Sequence, residues 1–236
     1  MTTPLHTPAY AEIPFLEGDF SAEFPQLLIT KLLQQVAPIA VSVVNWPSEY
    51  PDAPKVTLRL AYGDEALLLY YEVTEGAVVA RATNYNGNVW EDSCVELFLD
   101  PKGDGFYYNL EVNCIGTPLL GVGEGRTGRV HCAEADMQAI QTFSSLGSLP
   151  FEEREGPVSW NLAVMVPYRL LQLEGPEALS GKRIGGNIYK CADRLSRPHY
   201  VTWSPIGTPH PDYHRSNYFG TFYFLPKQAS FSACCQ

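Results

Sequence analysis

The sequence predicts an all-β protein, a β-sandwich with one short N-terminal helix. Many short segments rich in β-branched and aromatic residues alternate between apolar and polar side chains. Clusters of Gly, Pro, Asn and Asp separate these segments at regular intervals. A single stretch, residues 25–36, has the apolar spacing of a helix, with Pro25 in its first turn and Pro38 just after its end.

The elements follow in order along the chain. Residues 1–24 are expected to be extended, 121–128 to form a glycine-rich loop, 134–157 to be an irregular insertion, and 167–171 to make a short helical turn. Outside the hairpin at about 90–114, strands are expected at 39–45, 55–61, 66–73, 77–82, 158–166, 183–191, 199–203 and 218–225. No linker divides the chain, so we predict one domain over residues 1–236 with its core at about 39–225.

Composition narrows the function. The 236 residues are 45% hydrophobic and 12% aromatic, enough for a substantial core. The formal net charge of −10 and the absence of any basic run argue against nucleic acid as a partner, since phosphate contacts need clustered Lys and Arg. No apolar run is long enough to span a bilayer, and residues 1–18 lack the pattern of a signal peptide.

The cysteines indicate a reducing compartment, which favours a cytoplasmic location. None of them forms a CxxC pair, and the spacing does not match a zinc motif. Three lie inside predicted strands, where Cys behaves as a small hydrophobe. Disulfides in a secreted protein are the alternative to free thiols. The six are Cys94, Cys114, Cys132, Cys191, Cys234 and Cys235.

The most informative stretch is a hairpin that begins near residue 90. Its first strand ends at Asp100, a Pro/Gly turn follows, and the second strand covers residues 106–114. Alternation puts one set of side chains in the core: Val95, Leu97, Leu99, Phe106, Tyr108, Leu110 and Val112. It puts a polar set on the other face: Glu96, Tyr107, Asn109, Glu111 and Asn113. Pairing Leu99 with Phe106 would place Glu96 opposite Asn109 and diagonal to Glu111. Such a polar face suits a sugar or a metal.

Several blocks resemble family 9 carbohydrate-binding modules and their DOMON-like relatives. The run VWEDSCVELFLD at 89–100 resembles the strand signature of that family, as does YNLEVN at 108–113 with Gly116 after it. Further matching blocks lie at 45–47, 186–191, 203–205 and 214–220. The resemblance implies a jelly-roll-like β-sandwich.

The same resemblance implies a site. In sugar-binding members two tryptophans sandwich a terminal, reducing-end sugar ring, and a carboxylate on the strand after the first tryptophan binds its hydroxyls. By position these are Trp90, Trp203 and Glu96 here, with Asn187 and either Glu111 or Asn113 completing the ring of polar contacts. Strand 106–114 carries no arginine, although the resemblance leads us to expect one.

The predicted function is therefore non-catalytic carbohydrate binding, with a reducing-end mono- or oligosaccharide as partner. Two alternatives stay open: an interaction domain that keeps the fold without the sugar site, and a glycan-active enzyme using Glu96 and Glu111 as an acid/base pair. No cofactor is expected. Two carboxylates in the Asp100 to Gly105 loop indicate a turn, but structural calcium stays open because family 9 modules can carry it. Three late histidines form no tight metal-binding pattern: His199, His210 and His214.

Overall fold

The computed structural model describes residues 7–227, so Cys234 and Cys235 lie outside the described residues. It contains two short helices, α1 (Gln26–Gln35) and α2 (Glu134–Met137), and turns of 3-10 helix that include Tyr168–Leu171. The strands are β1 (Tyr10–Ile13), β2 (Ile39–Ala40), β3 (Val43–Val44), β4 (Lys55–Tyr62), β5 (Ala66–Ala80), β6 (Cys94–Asp100), β7 (Tyr107–Asn113), β8 (Pro118–Gly123), β9 (Val130–His131), β10 (Gln141–Ser144), β11 (Phe151–Pro167), β12 (Arg183–Cys191), β13 (Tyr200–Thr202) and β14 (Gly220–Phe224).

The strands form two sheets, which confirms the predicted all-β sandwich. The first sheet has nine strands: β1, β14, β12, β6, β7, β8 and β9 in spatial order, with β13 paired to β12 and β3 paired to β13. The second has five, in the order β10, β11, β5, β4 and β2. Only β1 and β14 pair in parallel; the other strand pairs of the described chain are antiparallel.

The main core lies between the sheets and follows the predicted alternation except at Phe106, which is 49% exposed. Val95 and Leu97 of β6 point inward together with Leu110 of β7, and they share one apolar cluster with Leu69 of β5 and Leu162 of β11. Burial of such aliphatic side chains stabilises a fold by about 1.5–3 kcal/mol each. Within residues 7–227, no helix has both the length and the apolar character needed to cross a membrane.

Helix α1, which the apolar spacing of residues 25–36 predicted, covers the other face of the five-stranded sheet. Leu28 and Leu32 are fully buried and belong to a second cluster with Leu68, Tyr70 and Ala163 of the sheet. These positions, four residues apart, lie on one face of the helix. The helix therefore extends the core rather than contributing to a polar site.

Some predicted boundaries were wrong. Segments 66–73 and 77–82 are one strand, because β5 keeps pairing with β11 through two register shifts. Part of the expected loop 121–128 is strand β8, and the insertion 134–157 supplies α2, β10 and the start of β11. Bulged long strands and glycines inside strands weaken the period-two signal on which the sequence reading relied.

A polar cluster lies inside the sandwich and joins the two sheets. Lys190 of β12 forms an ion pair with Glu75 of β5, with Nζ 2.8 Å from Oε2 and both side chains 0% exposed. His199 Nε2 lies 2.8 Å from Lys190 Nζ, and Trp160 Nε1 donates to Glu75 Oε1 at 2.6 Å. Burial and the Lys190 charge lower the pKa of His199 to about 2, so this imidazole is neutral.

Candidate functional site

The hairpin register differs from the prediction and brings two carboxyls together. Leu99 pairs with Tyr108, so Glu96 lies directly opposite Glu111 and not opposite Asn109. The turn is longer than assumed, because Asp100 accepts backbone N–H bonds from Gly103 at 2.8 Å and Gly105 at 3.0 Å. Both oxygens of Asp100 thus accept hydrogen bonds that hold the turn.

The two carboxyls face a cavity of about 610 Å³ on the outer face of the nine-stranded sheet. This volume is in the usual range for small-ligand sites. Strands β6, β7 and β12 supply its floor, and loops around residues 50, 90, 126 and 212 form its walls. The lining residues are Tyr50, Trp90, Glu96, Asn109, Glu111, Leu119, Arg126, Gly128, Arg129, His131, Cys191, Asp193, Tyr200, Pro211, Asp212, Tyr213 and His214.

Glu96 and Glu111 are buried and short of hydrogen-bond donors. Asn109 Nδ2 donates to Glu111 Oε1 at 2.8 Å, whereas Glu111 Oε2 has no hydrogen-bond partner among the described residues. Burial raises the pKa of Glu111 to about 7. Burial, reinforced by the neighbouring Glu111, raises the pKa of Glu96 well above its usual value. The pair therefore tends to keep a proton near neutral pH and offers both a donor and an acceptor.

Aromatic rings surround the carboxyls. Trp90 is half-buried in a 3-10 turn (Val89–Glu91) that precedes β6, and Tyr50 and Tyr200 meet edge to face with centroids 4.7 Å apart. Tyr213 is buried beneath them, stacked on Tyr189 at 4.1 Å. Rings next to hydrogen-bonding carboxyls suit a ligand with an apolar face and a polar edge.

An arginine reaches the cavity from the turn between β8 and β9, where sequence reasoning did not look for one. The guanidinium carbon of Arg129 lies 4.4 Å from the ring centroid of Tyr107. Its Nε donates to Asn109 Oδ1 at 2.8 Å. Room for it comes from β8, because a Cβ at Gly123 would lie 3.3 Å from Arg129 Cγ, and one at Gly121 would lie 2.8 Å from Asn109 Oδ1. The glycines at 121–128 were therefore the available signal, although the sequence reading treated them only as a loop.

Three of the predicted site residues lie outside the cavity lining. Trp203 is buried in the core between the sheets, stacked on Phe222 with centroids 4.6 Å apart. Asn187 bonds the backbone of Ser204 through both its amide atoms. The side-chain amide of Asn113 forms hydrogen bonds with backbone groups and with Asp92. Trp90, Glu96 and Glu111 are the predicted site residues that the structure brings together.

The histidines divide between site, core and surface. His214 lines the cavity, with Nδ1 2.9 Å from the Tyr107 hydroxyl. Burial, with help from Arg129, lowers the pKa of His214 to about 3. His210 is exposed, 3.9 Å from Glu49, and His199 belongs to the buried cluster around Lys190. The three do not share one metal site.

A β-sandwich whose sheet face holds a cavity of aromatic rings and carboxyls defines a carbohydrate-binding class of protein. Residues 23–224 match the model of carbohydrate-binding family 9, and the chain belongs to that family. The match confirms two predictions from the sequence. One is the family, and the other is its function, non-catalytic carbohydrate binding.

Solved structures agree. A candidate carbohydrate-binding protein from Bacteroides uniformis ATCC 8492 shares 36% identity with a TM-score of 0.85, over 92% of this chain and 100% of that one. A family 9 module from Caldicellulosiruptor kristjanssonii in complex with cellotriose shares 14% identity with a TM-score of 0.58, over 97% and 99% of the two chains. A family 9 module from the same organism in complex with glucose shares 14% identity with a TM-score of 0.55, over 95% of this chain and 100% of that one. A search of curated proteins gave no match.

Proposed function

We propose that the cavity holds one sugar ring against Trp90, with Glu96 and Glu111 binding its hydroxyls. The observation that carries this is Glu111, which lines a cavity large enough for a ligand and whose buried Oε2 has no partner among the described residues. A buried carboxyl oxygen without a donor costs about 1–3 kcal/mol or more, which a ligand hydroxyl would offset. The neighbouring modules that bind cellotriose and glucose support a saccharide as that ligand.

Tyr50 and Tyr200 complete the aromatic wall in this proposal, in the role that the resemblance gave to Trp203. Asp193 and Asp212 lie on the same cavity, and Arg126, whose Nη2 is 3.5 Å from Asp212, stands at its exposed edge. Carboxylates and a guanidinium at fixed positions can discriminate the orientation of sugar hydroxyls.

Binding, and not hydrolysis, is the activity that the carboxyl positions favour. A glycosidase needs its two carboxyls on either side of the scissile bond. Glu96 and Glu111 instead project from adjacent strands of one sheet face, directly opposite each other. Incubation with oligosaccharides should therefore release no product, and product that disappears in Glu111→Gln would overturn this part of the proposal.

A glycan screen by calorimetry and tryptophan fluorescence tests the site. Trp90→Ala and Glu111→Gln should each weaken saccharide binding by roughly tenfold or more, the loss expected for about 1.4 kcal/mol or above. Trp203→Phe is the matched control, since this ring packs in the core and should leave affinity unchanged. Loss of binding in Trp203→Phe with retention in Trp90→Ala would refute the assignment, as would a flat response across all saccharides.

A further inference from the structure

Two cysteines that are far apart in the sequence meet beside the cavity, which Cys191 lines and next to which Cys94 is fully buried. Cys191 of β12 is paired directly with Cys94 of β6, and Glu96 lies on the same face two residues further along. The two sulfurs and a Glu96 oxygen all lie within 4.8 Å of one another. All three side chains are buried, and Cys191 Sγ is 3.1 Å from Glu96 Oε1.

We propose that Cys94, Cys191 and Glu96 form a binding site for a zinc-like divalent metal ion. Two thiolates and a carboxylate are a donor set that zinc prefers, whereas calcium and magnesium prefer oxygen alone. With zinc–sulfur bonds of about 2.3 Å, two sulfurs on a tetrahedral ion are about 3.8 Å apart. The side chains thus need shifts of no more than about 1 Å to share one ion.

The carboxyl pair next to the cysteines is a second, independent indication of a cation. Glu111 Oε2 is buried beside this cluster and has no hydrogen-bond partner among the described residues. A divalent ion on Glu96 would offset the negative charge of the carboxyl pair. Since Cys191 and Glu96 line the cavity, an ion can reach the trio from it.

The other buried acids of the described chain offer no comparable place. Glu75 already has the ammonium of Lys190 at 2.8 Å, and Asp92 accepts N–H bonds from Arg81 and Ala82 at 2.9 Å each. Within residues 7–227, this trio is the one group of three or more Cys, His, Asp and Glu donors with mutually close ligand atoms. The metal site does not depend on the proposed sugar binding.

Zinc and cadmium titration of the reduced full-length protein, without any saccharide, tests the site. We expect one ion per chain after gel filtration, and a cadmium adduct with thiolate-to-metal charge-transfer absorption. Cys94→Ser and Cys191→Ser should each weaken zinc binding by at least about tenfold, since even an outer-shell change has effects of that size. Cys114→Ser is the matched control, a buried cysteine outside the trio that should retain wild-type affinity.

A footprint on the unmutated protein guards against misfolding of the variants. Zinc should slow alkylation of Cys191, which lines the cavity, read by peptide mass spectrometry, and leave the labelling rate of the half-buried Cys132 unchanged. Failure to retain one ion, wild-type affinity in both cysteine variants, or equal protection of Cys132 would each overturn the proposal. Saccharide binding that persists in metal-free protein would leave the proposed function intact.

Discussion

Removal of Lys190 should destabilise the protein far more than the loss of an exposed ion pair of the same length. Lys190 Nζ and Glu75 Oε2 are 2.8 Å apart, and both side chains are 0% exposed. In Lys190→Met the Glu75 carboxylate keeps the Trp160 N–H but loses its cation inside the sandwich. Breaking a buried pair by removing one partner costs about 3–5 kcal/mol. For a chain of this size that lowers Tm by roughly 6–20 °C.

A double-mutant cycle separates the ion pair from general disruption of the core. Lys190→Met combined with Glu75→Gln removes both charges, and Gln keeps an acceptor for Trp160 Nε1. Because replacement of a buried pair by neutral groups is often nearly neutral, we expect the double variant to recover most of the loss. The coupling free energy should be about 2 kcal/mol or more.

Arg81 and Glu152 supply the control. Their closest atoms are 2.7 Å apart, but the side chains are 47% and 82% exposed. Arg81→Gln should therefore cost no more than about 1 kcal/mol. Urea unfolding followed by tryptophan fluorescence gives the free energy of unfolding of the wild-type protein, of the two single variants and the double variant of the cycle, and of Arg81→Gln. If Lys190→Met cost as little as Arg81→Gln, or if the double variant lost the sum of the single losses, the inter-sheet ion pair would not be the stabilising element.

Three further predictions concern the histidines, the glycines of β8 and the buried tryptophan. The folded-state pKa values of His199 and His214, about 2 and about 3, lie below the unfolded value of about 6.5. Stability should fall as pH drops below about 6.5, by up to about 1.4 kcal/mol per pH unit for each histidine. In His214→Phe the acid slope of the urea-unfolding free energy should be shallower by that amount, and an unchanged slope would contradict the assignment. Gly121→Ala should destabilise by about 1–3 kcal/mol, since its Cβ would meet Asn109 Oδ1 at 2.8 Å. Gly125→Ala, with no described atom within 4 Å, should have little effect in the same thermal melts. Trp203→Ala should cost about 3–5 kcal/mol in urea unfolding because it empties a core position, and a loss below about 1 kcal/mol would show that the ring is not packed there.

The faces of the central strands could be predicted from the sequence because alternation is a local property. Val95 and Leu97 lie in the core, and Glu96 and Glu111 lie on the opposite face, as the period-two pattern indicated. The register of β6 against β7 could not be predicted from the sequence, because it depends on how many residues the turn between them contains. Asp100 binds two backbone amides and leaves Phe106 unpaired and 49% exposed, which shifts the partner of Glu96 to Glu111.

The rest of the candidate site depends on contacts between distant segments. Arg129 reaches the cavity because two β8 glycines leave space for it, and Cys94 meets Cys191 because β6 and β12 are neighbours in the sheet. No short motif encodes either contact. The match to a family signature placed Trp203 at the site by position, whereas its side chain, just after the end of β13, stacks on Phe222 in the core.

Strand β12 shows how stability and recognition can share one sheet. Lys190 points into the sandwich and Cys191, the next residue, points into the cavity, because successive side chains leave a strand on opposite faces. Substitutions on the two faces should therefore affect different properties of the protein. The inner face pairs its buried charge, whereas the outer face leaves a Glu111 oxygen without a partner among the described residues, so burial there is unfavourable in the ligand-free protein. Substitutions on the outer face should thus change affinity more than the free energy of unfolding, and those at Lys190 should do the reverse.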